Sequence, residues 1–149
     1  MKKSLITVLC AGCFYFAFSQ NDYNPPRHVR ESFQRDYPQS QPGQWNHSGS
    51  VWSVNFDDRD HNNGEAVAHF DSRGRHIDTH VPYDNNDVPA PVMDHVRSRY
   101  PGSDQYNVTR IDRGGSGVYR FSLRHQKRSR TLYLDENGQQ RNDYRDRHY

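Results

Sequence analysis

The chain has 149 residues, 32% of them hydrophobic, and a formal net charge of +2. Both cysteines, Cys10 and Cys13, sit close to the start, so a chain that loses its leader has no disulfide, thiolate metal site or cysteine nucleophile. The low apolar content calls for a thin core built largely from aromatic residues, and the near-neutral balance argues against a general nucleic-acid binder.

Residues 1–19 have the pattern of a secretory signal peptide. Lys2 and Lys3 precede an apolar run from Leu5 to Phe18, and Ala17-Phe18-Ser19 supplies small residues for cleavage near Ser19/Gln20. The run of about 14 apolar residues is too short to span a bilayer. Cys13, following Ala11-Gly12, keeps a lipoprotein anchor open as the alternative. Without Lys2 and Lys3 the chain carries 18 basic and 18 acidic residues. They are unevenly placed: 6 arginines against 11 acids from Gln20 to Asp87, then 12 basic residues against 7 acids from Val88 onward. Such polarity can orient a charged partner, although solvated faces give the same composition.

A helix is expected over about 26–37, with Val29, Phe33 and Tyr37 at i, i+4 and i+8 between Pro26 and Pro38. Pro38 to Gly43 has loop composition. Val51 to Phe56 alternates as a strand that buries Trp52, Val54 and Phe56. Asp57 to Gly64 forms a polar turn whose acidic spacing does not fit a calcium loop. Glu65 to Phe70 is a second strand, Asp71-Ser72-Arg73-Gly74 a tight hairpin turn, and His76 to Val81 a third strand with Ile77, Thr79 and Val81 on one face.

The same order then returns. Pro89 to Pro101 repeats the helix with Val92, Val96 and Tyr100, followed by a short strand through Tyr106, Val108 and Ile111 and a flexible Gly114 to Gly117 turn. Val118 to Leu123 matches Val51 to Phe56, Thr131 to Leu134 matches Val67 to Phe70, and Asp135 to Gly138 matches Asp71 to Gly74. The copies are offset by 63 residues at the helices, 67 at the central strand and 64 at the turn. A duplicated helix-then-sheet unit accounts for this, with repeats at 25–83 and 88–144 joined by a linker at Asp84 to Asp87.

Tyr37-Pro38, Trp45, Val51 to Phe56 and Phe70 to Gly74, answered by Tyr100-Pro101, Val118 to Leu123 and Leu134 to Gly138, form an ordered set. This set resembles the PepSY-like family of secreted proteins from Gram-negative bacteria, also described as similar to beta-lactamase-inhibitor proteins. The resemblance covers about residues 25–143. It implies an α+β fold of two tandem units, each a helix packed on one face of a four-stranded antiparallel sheet. It also implies a periplasmic or secreted location and a role in binding or inhibiting other proteins, with no catalytic residues to carry over.

Two constellations carry chemistry. His76, Asp78 and His80 alternate along one predicted strand, so that two imidazoles and a carboxylate could project together and ligate a metal; an ordinary polar strand face reads the same way. His69 on the neighbouring strand is a further ligand if the register allows. Arg120 and Arg124 on an outward strand face, with Lys127, Arg128 and Arg130 at the following turn, form a basic hairpin able to grip carboxylates or phosphates, or simply to stay solvated. No Gly-x-Ser-x-Gly elbow, phosphate-cradling loop or His-Glu-x-x-His helix is present, so neither an enzyme nor a cofactor is expected. The expectation is therefore a non-catalytic module that binds or inhibits a protein or peptide partner, with no nucleic acid and no membrane span. The alternative is a metal-binding or stress-response envelope protein using the His-x-Asp-x-His strand.

Overall fold

The computed structural model describes residues 23–58, 64–103, 106–125 and 127–144. The signal segment with its cleavage site, Cys13, most of the Asp57 to Gly64 turn and the last five residues lie outside them. Among the described residues the order is α1 (Arg27–Asp36), β1 (Pro42–Ser48), β2 (Val51–Asp58), β3 (Gly64–Asp71), β4 (His76–Tyr83), α2 (Ala90–Arg99), β5 (Tyr106–Arg113), β6 (Ser116–His125) and β7 (Arg128–Asp135).

Both helices form where the apolar spacing places them. Each begins after a proline in extended backbone, Pro26 or Pro89, where the fixed φ suits a helix entry and no hydrogen bond is lost. Each ends at a tyrosine whose N–H still bonds back four residues, Tyr37 to Phe33 and Tyr100 to Val96, before a proline prevents continuation. Val29 and Phe33, then Val92, Met93 and Val96, point into the protein. No helix among the described residues is long and apolar enough to cross a membrane.

The expected pair of four-stranded units is not what forms. All strands join one seven-stranded sheet in the order β1-β2-β3-β4-β5-β6-β7, each neighbour antiparallel. Two physical causes overturn that architecture. First, β4 would be an exposed edge in a separate unit, and it pairs instead with β5 from Thr79↔Asp112 to Tyr83↔Val108, satisfying both rows of backbone groups. Second, the chain past Gly138 lacks the alternating apolar residues of a strand. Among the described residues it contributes only an isolated bridge, Leu134↔Gln140, so the second half shows three strands there.

Val81, Arg110, Tyr119 and Leu134 are register partners across four strands, which puts both helices on the same face of the sheet. Under α1 lies an aromatic cluster of Phe33, Trp45, Phe56 and Phe70, with Ala66 and Ala68 beneath. Under α2 the cluster is mainly aliphatic, with Val92, Val96, Leu123, Leu132 and Leu134 around Phe121 and Tyr119. The two matched turns are built alike. Asp71 Oδ1 accepts the N–H groups of Arg73 and Arg75, and Asp135 Oδ1 accepts those of Asn137 and Gln139. Gly74 and Gly138 then take the left-handed backbone that only glycine adopts freely.

Candidate functional site

The sheet face away from the helices carries the polar chemistry. Along β3 and β4 one residue is extra: Phe70 pairs with His76 and His69 with Asp78, so Ile77 is bulged out of the ladder. A bulge reverses which residues share a face. The three residues expected to project together are therefore divided. His76 turns to the helix side, where its Nε2 lies 2.7 Å from Thr79 Oγ1 and 3.2 Å from the Tyr37 hydroxyl, and its ring packs on Phe70. Burial lowers its pKa, so the ring stays neutral there.

Asp78 and His80 remain on the open side, and the register brings His69 to them. His69 Nδ1 donates to Asp78 Oδ1 at 2.9 Å, and His80 Nε2 lies 3.5 Å from the same oxygen. Arg113 on β5 donates to Asp78 Oδ2 at 3.0 Å. Asp78 is 1% exposed and His69 8%. Burial raises the Asp78 pKa, but the hydrogen bonds from His69 and Arg113 and the nearby His80 outweigh it and hold the carboxyl at about 2. Asp78 is thus an ionised carboxylate buried within its own set of donors, as a buried charge must be.

Arg113 extends the site. Its guanidinium lies 4.6 Å from the centre of the Tyr144 ring, and Tyr144 in turn sits 5.6 Å from Tyr133 on β7. The chain following β7 therefore returns across β6 on the helix-free face. Neither Arg113 nor Tyr144 is visible from local pattern. Both are placed by pairings between strands, and the only sequence signal is that Arg113 falls in phase with Ile111 on a short strand.

The basic hairpin is present but split between faces. Arg120 and Arg124 alternate with buried Phe121 and Leu123 and so lie on the helix-free side, where Arg120 Nη2 donates to Thr109 Oγ1 at 3.1 Å. Arg130 pairs with Leu123 and Arg128 with His125, which puts these two in phase with the helix-side residues. Arg124, Lys127, Arg128 and Arg130 are all exposed, and Lys127 takes a left-handed turn conformation at φ 64°.

A third feature escapes sequence reading. On the helix side, between the end of α1 and the β4-β5 junction, lies a cleft of about 440 Å³ lined by Asp36, Tyr37, Asp58, His76, Arg110 and Asp112 among others. Burial pushes the Tyr37 hydroxyl up to about 12, partly offset by its bond with Thr79. Tyr37 is thus a neutral phenol beside a neutral imidazole, an arrangement that fixes the helix end onto β4.

No family model matches the chain, and no curated protein matches it in sequence. Solved structures do match. A DUF2874 family protein from Bacteroides ovatus superimposes with a TM-score of 0.69 at 18% identity, covering 79% of this chain and 85% of that one. A BLIP-like protein from Bacteroides fragilis gives 0.70 at 17% identity, covering 79% and 84%. A candidate periplasmic protein from Bacteroides eggerthii gives 0.68 at 13% identity, covering 79% and 86%. At these identities the likeness establishes the fold alone: the chain shares the fold of these Bacteroides proteins, one of them described as BLIP-like.

Proposed function

We propose that the protein is a non-catalytic binding module of PepSY-like type, exported to the periplasm or beyond. In this reading it holds an acidic protein or peptide segment against the helix-free face of its sheet. The observation that carries this is the layout of that face. Tyr133 and Tyr144 sit half-buried beside Arg120 and Arg113, and the exposed Ser122, Thr131 and Arg124 continue the same face along β6 and β7. Aromatic anchors inside an arginine rim are the composition of a binding hot spot. The arginine-rich second half supplies the charge that would draw an acidic partner. The signal-like leader, and the descriptions of the fold neighbours as BLIP-like or periplasmic, agree with this reading.

The test is capture from an envelope extract with the immobilised chain at low and high salt, comparing wild type with Arg120→Ala and Arg124→Ala. A salt-sensitive partner lost in both variants is the expected result. Arg128→Ala reports separately on the other side of the hairpin. Capture that survives both helix-free-face substitutions but fails with Arg128→Ala would move the surface to the opposite side. Capture indifferent to salt and to all three substitutions removes the arginine surface altogether.

A further inference from the structure

We infer that His69, Asp78 and His80 form a binding site for a divalent transition-metal ion, zinc being the natural first candidate. This goes beyond partner binding and does not depend on it. The donor set is two imidazoles and one carboxylate from adjacent strands, with all three ligand atoms within 4.8 Å of one another. Tetrahedral zinc with bonds of about 2.0–2.1 Å needs ligand atoms roughly 3.3 Å apart. Here Asp78 Oδ1 lies 2.9 Å from His69 Nδ1 and 3.5 Å from His80 Nε2, so these two separations already bracket that spacing.

The backbone explains why these three converge. The Ile77 bulge sets His69 directly across from Asp78 and leaves His80 two residues along on the same face. Arg113 engages the far carboxylate oxygen, Oδ2, so only Oδ1 is presented and the carboxylate binds through one atom. The site is open on one side, because His80 retains 20% side-chain exposure where Asp78 retains 2%. A solvent molecule would complete four-coordination there. Binding requires the proton on His69 to move from Nδ1 to Nε2, leaving the lone pair to the metal. Nitrogen and oxygen donors without sulfur favour zinc, nickel or ferrous iron over cuprous copper.

The experiment titrates zinc alone into the untagged, exported chain against a chromophoric chelator, and cobalt(II) to read coordination number from its visible spectrum. One zinc per chain and a four-coordinate cobalt spectrum are expected. His69→Ala and His80→Ala should each weaken zinc by more than about 100-fold, beyond the ~10–100-fold that an outer-shell partner produces. His76→Ala, altered in the same sequence motif but on the other face, should keep full affinity. His80→Gln, at the most exposed of the three positions, serves where a variant misfolds, with circular dichroism confirming the fold. Absence of stoichiometric binding overturns the site. So does binding that survives both His69→Ala and His80→Ala, or that disappears with His76→Ala in a folded chain.

Discussion

The two helices solve one packing problem in opposite ways. α1 brings a large side chain, Phe33, down onto small strand residues, Ala66 and Ala68, and rings it with Trp45, Phe56 and Phe70. α2 brings a small one, Val96, at the matching helix position, and the strand beneath compensates with Leu132 where the first half has Ala68. Side-chain volume has moved from helix to sheet while the space between the layers stays filled. Close-packed interiors conserve summed volume more strictly than identity. The comparison shows why the pattern of apolar positions recurs while the residues at them diverge.

Removing the large partner from each layer is the most direct way to break that comparison. Phe33→Ala should cost about 3–5 kcal/mol, and Leu132→Ala about 2–5 kcal/mol, in urea unfolding. Exchanging volume sharpens it. Ala68→Leu alone should overpack the α1 side by ~1–3 kcal/mol, and adding Phe33→Val should recover part of the loss. If the double variant is no more stable than the sum of its singles predicts, the two residues do not share the space assigned to them.

The turn glycines test the same pairing at the helix entries. A Cβ on Gly138 would lie 2.4 Å from the Pro91 carbonyl oxygen, whereas one on Gly74 would lie 3.0 Å from both His28 O and Ser32 Oγ. Gly74→Ala should cost about 1–2 kcal/mol from backbone conformation alone. Gly138→Ala should cost more, since the Pro91 carbonyl stands much closer to the added Cβ than the His28 oxygen does at Gly74. Equal losses in chemical denaturation would show that the two turns seat their helices alike.

The smallest effect concerns the seam between the halves, where Asp78 of β4 meets Arg113 of β5. The carboxyl pKa of Asp78 is depressed in the folded chain to about 2, below its unfolded value of about 3.9. Its contribution to stability is therefore complete above about pH 4 and fades as the pH falls toward 2. Asp78→Asn should flatten the acid limb of the stability profile across that window. A profile unchanged in shape would mean that the seam does not depend on the charge.

Much of this fold could be read from periodicity. The helices, the strands and the two aspartate-glycine turns follow from spacings of 3.6 and 2 and from turn chemistry that acts within a few residues. Trp45 on β1 was harder, because that strand buries a single residue and offers no alternation. The continuous sheet was not legible at all, since Tyr83 pairs with Val108 across the 84–105 connection, beyond the reach of any local pattern. The candidate metal cluster failed locally for one reason. A single bulged residue, Ile77, exchanges His76 for His69, and bulges leave no mark in the alternation of a polar strand.

The meander also sets an order of assembly. In five of the six strand pairings the partners are separated by five residues or fewer along the chain, a span that closes quickly at little entropic expense. The sixth, β4 with β5, must close over residues 84–105 with a helix inside the loop. Contacts distant along the chain are the slow ones. Folding is therefore a matter of two fast local zippers and one late join, and a substitution at Asp78 or Arg113 acts on the step that makes the sheet one object.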